Sequence, residues 1–298
     1  MEERHMYADL PNGDARGVFG DDDVLGTLNL QTPDAVRHAA GLVRTGAVFS
    51  LNAPLDWPDP PLFNRQLVQH HVYRTAMGNR DDWLDGFYPQ ASSQWDGFLH
   101  ISDPEIGSYN HLEPERLGIE SWAARGIAGR GVLLDVERHL RAEGRPLHWR
   151  TRTAITVDDL EATRARAGVE PRRGDVLLVR TGWVAGYEAA DAEDRLAVRT
   201  DQTSPGLAAD RAMAEYLWDW GVSAVAADNI GLEAMPLQGE VLHHRLLCRL
   251  GMPIGEMWWL DALAGACAAD GRYEHLLVSA PLHVRGGIGS PANALAIR

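Results

Sequence analysis

The sequence contains no lysine, and all 28 of its basic residues are arginine. This absence excludes mechanisms that need a lysine amine, namely Schiff-base chemistry, a phosphate-binding loop with its lysine, and a lysine general base. The pattern G-x-S-x-G is also missing. A Ser-His-Asp hydrolase therefore has little support, and other side chains must carry any chemistry.

Cysteine is scarce, since Cys248 and Cys267 are the only two and both lie among apolar residues. Two thiols are too few for a disulfide scaffold and are typical of a protein in a reducing compartment. No apolar run approaches the roughly 18 residues of a membrane helix, and the first residues contain no apolar signal-peptide core. The sequence therefore predicts a cytoplasmic protein.

Positive charge is also in short supply, because 42 acidic residues outnumber the basic ones and the formal net charge is -14. An acidic protein is not attracted to nucleic-acid phosphates or to anionic lipid headgroups. We therefore expect neither a nucleic acid nor a membrane as partner.

Apolar residues are plentiful, at 45% of the 298 residues, and predict a folded globular chain. Beyond residues 1–30, which we expect to form an irregular entry segment, helical and strand-like segments alternate. Buried strands are predicted at residues 131–136, 174–180 and 222–227, and helices at residues 157–167 and 208–220. This alternation is typical of α/β proteins. Because no repeat or flexible linker divides the chain, we predict a single domain spanning residues 1–298.

The stretch from Gln90 to His111 concentrates the side chains best suited to catalysis. Within it, Gln90, Gln94, Asp96 and His100 follow one another at offsets of four, two and four. The Gly, Ser and Pro residues of this stretch disfavour a regular helix, so we predict a loop that turns these side chains toward one point. Aspartate and histidine together can bind a divalent cation or transfer a proton.

A second candidate group lies far downstream, where His244 and Glu256 are twelve residues apart. A largely apolar run and the turn residues Gly251, Pro253 and Gly255 separate them. If the two groups meet in the fold, two carboxylates and two imidazoles surround one pocket. The alternative is a set of structural residues, because a spacing without cysteine is a weak indication of a metal site.

Together these residues resemble those of the putative cyclase family, which includes bacterial kynurenine formamidase and isatin hydrolase. That family carries the pattern His-x-Gly-Thr-His-x-Asp-x-x-x-His and, downstream, a His and a Glu twelve residues apart. The pattern corresponds here to Gln90, Ser92, Ser93, Gln94, Asp96 and His100, and the downstream pair to His244 and Glu256. The resemblance implies an α/β fold of the swivelling β/β/α type, with a mixed sheet core and flanking helices, and it implies a homodimer.

The resemblance also implies a site in which Asp96, His244 and Glu256 bind a metal ion and His100 acts as acid and base. The chain departs from the family pattern because glutamines replace the two early histidines that would bind metal. An amide oxygen is a weaker and harder donor than an imidazole nitrogen. We therefore expect one divalent ion per chain, with Mn at least as well suited as Zn. Gln90 and Gln94 then either bind substrate through their amides or brace the loop.

These considerations predict a metal-dependent hydrolase of a small molecule that contains a cyclic or acyclic amide, a lactone or an ester. Trp95 is predicted to bind the substrate, and Phe98, Trp57 and Trp83 to line the pocket, unless these rings pack in the core. Two alternatives stay open. One is a metal-free lyase or cyclase whose aspartate and histidine transfer protons unaided, and the other is a catalytically silent protein that binds a small molecule.

Overall fold

A computed structural model describes residues 5–298 of the chain. Its strands are β1 Val48–Ser50, β2 Gln69–Arg74, β3 Arg80–Asp85, β4 Gln94–Asp96, β5 Ile127–Asp135, β6 Ala154–Ile155, β7 Val176–Arg180, β8 Gly206–Leu207, β9 Ala224–Ala227, β10 Ile254–Glu256, β11 Glu274–Ser279, β12 Gly289–Pro291 and β13 Ala294–Ile297. Its helices are α1 Pro33–Ala40, α2 Glu120–Arg125, α3 Val136–Ala142, α4 Val157–Ala167, α5 Trp183–Ala189, α6 Ala192–Asp201, α7 Arg211–Trp220 and α8 Asp261–Asp270, with a π-helical turn at His244–Arg249. None of these helices is both long and apolar enough to cross a bilayer.

One mixed sheet of nine strands, in the order β1-β13-β11-β5-β7-β9-β10-β4-β12, organises the described chain. The neighbours β5, β7, β9 and β10 run parallel, and the strands on either side of them pair antiparallel. The central strands β5, β7 and β9 are buried almost throughout, as near-continuous apolar sequences predict for a sheet covered on both faces. The predicted α/β class, with a mixed sheet and flanking helices, is confirmed.

Helix α4 shows how local sequence sets the bounds of an element. The Thr156 hydroxyl accepts from the Asp159 amide at 3.3 Å, and the Asp159 carboxylate accepts from the Thr156 amide at 3.0 Å. This reciprocal pair satisfies two amides at the helix start. Gly168 ends the helix with φ of 67°, a left-handed conformation that glycine adopts without strain. The helix predicted at residues 157–167 is confirmed at both ends.

His275 is a buried histidine that lies away from the sequence-predicted site residues. It lies on β11 opposite Gly131 of β5, and neither ring nitrogen has a partner among residues 5–298. Burial, assisted by the charge of Arg298, lowers its pKa to about 3. An unfolded chain protonates histidine below about pH 6.5. Between pH 6.5 and pH 3 the unfolded state therefore binds more protons than the folded state, and acid destabilises the fold.

We expect this histidine to cost about 2 kcal/mol of unfolding free energy at pH 5, since each pH unit below 6.5 contributes about 1.4 kcal/mol. In His275→Leu, the loss of stability between pH 7.5 and pH 5 should be smaller by about that amount. Urea denaturation at the two pH values measures it. The matched control is His38→Leu, which replaces an exposed histidine and should keep the wild-type difference. Equal pH dependence in both variants would contradict the expectation.

Candidate active site

Strands β4 and β10 bring together the two sequence regions of the predicted site. They pair antiparallel, with Gln94 opposite Glu256 and Asp96 opposite Ile254. Side chains alternate across a strand, so Gln94 and Asp96 lie on one face of the sheet and Trp95 lies on the other. The stretch predicted as a loop therefore includes a short buried strand here, and the pairing places the two carboxylates side by side.

Both glutamines donate hydrogen bonds to these carboxylates. Nε2 of Gln94 donates to Asp96 Oδ1 at 3.1 Å and to Glu256 Oε2 at 2.8 Å, and the Gln90 amide also donates to Asp96 Oδ1. The other oxygen of Asp96, Oδ2, is buried and accepts no hydrogen bond from residues 5–298. The glutamines thus orient the carboxylates and leave Asp96 Oδ2 and Glu256 Oε1 for other partners.

His243 faces these two remaining oxygens, and His244 does not. Nε2 of His243 lies 3.2 Å from Glu256 Oε1 and 3.5 Å from Asp96 Oδ2. His244 begins the π-helical turn and lines a separate cavity that also contains Asp103. Successive residues of a helical segment point roughly 100° apart, so only one of two neighbours can face the sheet. The expectation that His244 belongs to the site is therefore corrected to His243.

Glu233 supports His243 from its other side. Its Oε2 lies 2.7 Å from His243 Nδ1, and its Oε1 accepts from the Leu242 amide at 3.1 Å. Although burial opposes protonation of His243, the charge of Glu233 and the close contacts of the ring with the carboxylates of Asp96, Glu233 and Glu256 raise the pKa of His243 well above its ordinary value. A carboxylate behind an imidazole is also the arrangement that fixes the tautomer and direction of histidines that bind metals.

The two central carboxylates differ in acidity. Burial, together with the charge of Asp96, raises the pKa of Glu256 to about 7, and His243 opposes this shift. Burial also disfavours the ionised form of Asp96, but the charge of His100 and the nearby His243 ring, whose Nε2 lies 3.5 Å from Asp96 Oδ2, lower the pKa of Asp96 overall. A further positive charge beside the pair would favour the ionised form of both.

His100 lies at the edge of this cluster with 30% of its side chain exposed. Its Nδ1 is 2.9 Å from Gln90 Nε2 and 4.0 Å from Asp96 Oδ1. Burial lowers the pKa of His100, and the charges of His243 and Arg65 lower it further against the opposing effect of Asp96. The imidazole is therefore neutral near pH 7, which is the form that can accept a proton.

A cavity of about 270 Å³ opens beside the cluster. Its polar lining consists of Arg65, His100, Glu233, His243 and Glu256. Its apolar lining consists of Phe63, Ile101, Ile230, Met235, Leu237 and Val241. An apolar cavity with a few converging polar groups is typical of a site for a small molecule.

The aromatic residues predicted to line the pocket lie elsewhere. Trp95 is fully buried on the opposite face of β4, where its Nε1 donates to Ser279 Oγ at 2.9 Å. Phe98 and Trp57 are buried in hydrophobic clusters, whereas Trp83 is 52% exposed on the β2–β3 hairpin. The expectation that Trp95 contacts substrate is therefore corrected, because strand alternation directs Trp95 into the core.

Three residues of the site escape prediction from the sequence. His243 is adjacent to His244, the histidine that the spacing to Glu256 indicates. A His-His pair in the sequence signals that either histidine can be the site residue. Glu233 lies shortly after the buried strand β9, in the segment AADNIGLE, where α/β folds place polar site residues. Arg65 follows a proline-rich loop and carries no comparable signal.

The set of donor atoms fits a divalent cation. Asp96, His100 and His243 each offer one ligand atom, and these atoms lie within 4.8 Å of one another. Glu256 Oε1 also faces His243 Nε2, and the unpartnered Asp96 Oδ2 is an oxygen that a cation would satisfy. Imidazole and carboxylate donors suit Zn and Mn. The residues present therefore fit the metal ion that the family resemblance implies.

Comparisons with known proteins bear on the family and the fold of this chain. The family model described as putative cyclase matches residues 49–234. A crystal structure described as a novel cyclase is 33% identical, covers 96% of this chain and 99% of that chain, and has a TM-score of 0.86. The structure of isatin hydrolase A from Labrenzia aggregata bound to benzyl benzoate is 19% identical, covers 87% of this chain and 94% of that chain, and has a TM-score of 0.61.

A predicted metal-dependent hydrolase from Bacillus stearothermophilus is 18% identical, with 84% of this chain and 97% of that chain covered and a TM-score of 0.51. A search of curated proteins found no significant match. The two hydrolase structures share the fold at low identity. The family model covers more than half of the 298 residues, and the 33% identical structure covers nearly all of them. The chain therefore belongs to the putative cyclase family.

Proposed function

We propose that this protein is a metal-dependent hydrolase that cleaves an amide, lactone or ester bond in a small molecule. The observation that carries the proposal is the convergence of Asp96 Oδ2, Glu256 Oε1 and His243 Nε2 next to a mostly apolar cavity. His100 borders both the cluster and the cavity. The hydrolases among the structural neighbours support the same class of reaction.

In this proposal Asp96, His243 and Glu256 hold one Mn or Zn ion, while Gln90 and Gln94 keep the two carboxylates in place. A cation bound there supplies a Lewis acid that polarises a carbonyl and lowers the pKa of water. Two carboxylates and one imidazole form an oxygen-rich set of donors. Such a set suits Mn at least as well as Zn.

The residues of the chain supply proton transfer and orientation. Neutral His100 takes a proton from the attacking water and returns it to the leaving oxygen or nitrogen, a contribution of about 10² to 10⁴ in rate. Glu233 keeps the His243 ring directed at the carboxylates. The apolar lining, which includes Ile101 and Ile230, excludes bulk water from the substrate and strengthens these interactions.

The proposed function is tested by elemental analysis of protein purified without chelator, followed by activity assays on a panel of small aryl amides, lactones and esters. We expect about one Mn or Zn ion per chain, loss of hydrolysis after dialysis against a chelator, and recovery after either ion is added back. Hydrolysis that continues unchanged without any bound ion would refute the metal-dependent reaction. Turnover without water uptake, again without an ion, would instead support the metal-free lyase or cyclase.

A further inference from the structure

The guanidinium of Arg65 lies at the cavity and has no carboxylate partner among residues 5–298. Within residues 5–298 its side chain donates only through Nη1, to the Gln90 carbonyl and to Gln94 Oε1 at 3.4 Å. No carboxylate oxygen of these residues lies within ion-pair distance. The buried arginine Arg130 contrasts with it, because Arg130 pairs directly with Asp175.

Nε and Nη2 of Arg65 are therefore available to a ligand. Neither nitrogen is fully buried, and Arg65 lines the cavity beside His100. The Nε and Nη2 edge of a guanidinium matches the two oxygens of a carboxylate in a bidentate pair. Burial lowers the pKa of Arg65. The charges of Glu256 and Asp96, which do not contact Arg65, oppose this shift without cancelling it.

The backbone before Arg65 is built to hold this side chain. Phe63 and Asn64 both adopt the left-handed conformation, with φ of 55° and 57°, which is uncommon for residues other than glycine and occurs at functional sites. The Arg65 amide donates to the Leu62 carbonyl at 3.1 Å, and the guanidinium lies 5.2 Å from the centre of the Phe63 ring. The turn and the cation–π contact fix the arginine against the cavity wall.

We propose that Arg65 binds the carboxylate of the substrate, and that the natural substrate is a small apolar amide, lactone or ester bearing one carboxylate. This inference refines the proposed hydrolase by naming its substrate class. The apolar lining of Phe63, Ile230 and Met235 holds the body of such a molecule, and the cavity of about 270 Å³ limits it to roughly the size of one ring with its substituents. The carboxylate then lies on Arg65, and the scissile carbonyl lies toward His100 and Glu256.

The test is calorimetric titration of the metal-loaded protein with benzoate and, as the neutral probe of equal shape, benzamide. We expect wild type to bind benzoate at least about tenfold more tightly than benzamide. Arg65→Met should weaken benzoate binding by about tenfold or more and benzamide binding by much less, because the neutral amide forms no ion pair with the guanidinium. Arg65→Lys keeps the positive charge but loses the planar guanidinium that forms two parallel hydrogen bonds to a carboxylate. We therefore expect this variant to bind benzoate with an affinity between those of wild type and Arg65→Met.

Three results would overturn the inference: equal affinity of wild type for the two probes, no binding of benzoate by wild type, or unchanged benzoate affinity in Arg65→Met. The last result would show that another group, such as the cation, holds the carboxylate. If Arg65→Met does not fold, as judged by its thermal unfolding, the comparison of wild type with Arg65→Lys decides. Metal content is measured on the same samples, so failure of the metal-dependent function and failure of carboxylate binding are separate outcomes.

Discussion

Replacement of His243 by alanine is expected to remove the bound cation and to lower kcat/KM by roughly 10³-fold or more, because the cation contributes several kcal/mol of transition-state stabilisation. His243 Nε2 faces both Asp96 Oδ2 and Glu256 Oε1. Alanine removes the only imidazole placed between these oxygens in the described chain. Elemental analysis and kinetics on the most active member of the substrate panel measure the two losses.

His244→Ala is the matched control, since it removes the same group one residue further along the chain. His244 lines a different cavity, so we expect cation content and kcat/KM close to wild type. The two variants therefore distinguish a cation site at His243 from the site at His244 that the sequence spacing indicates. Loss of the cation in His244→Ala with retention in His243→Ala would show that His244, and not His243, binds the cation.

Replacement of His100 by alanine is expected to lower kcat by about 10² to 10⁴ while the cation stays bound, because the residue transfers protons in the proposed mechanism. His100 lies at the exposed edge of the cluster, and its Nδ1 is 4.0 Å from Asp96 Oδ1. Single-turnover kinetics and elemental analysis of the variant measure the two quantities separately.

The cation content of His100→Ala decides between two roles for this imidazole. His100 also belongs to the group of three residues whose donor atoms lie within 4.8 Å of one another. A variant that loses both the cation and activity would assign His100 as a ligand. A variant that retains wild-type kcat would end its proposed role in proton transfer.

Local signals predict much of the fold because they act within a few residues. The capping pair of Thr156 and Asp159 and the left-handed Gly168 define α4 at both ends. The apolar runs of β5 and β7 indicate strands buried on both faces. Short strands are harder to predict, since the three residues of β4 become a strand only through pairing with β10 and β12. The same sequence, without those neighbours, is typical of a loop.

The candidate site depends more on tertiary structure than the fold elements do. Asp96 and Glu256 are predicted to meet, and β4 and β10 bring them together. The choice between His243 and His244 depends on the direction of one helical turn, which the spacing to Glu256 does not determine. Arg65 reaches the site because the two residues before it form a left-handed turn. This backbone geometry is hard to predict from the sequence, since no glycine marks it.

Anomalous diffraction from crystals of Mn-loaded protein tests whether Asp96, His243 and Glu256 share one cation. We expect one anomalous peak bounded by Asp96 Oδ2, His243 Nε2 and Glu256 Oε1. A Mn peak in the cavity lined by His244, or no peak at the three donor atoms in fully loaded protein, would contradict it.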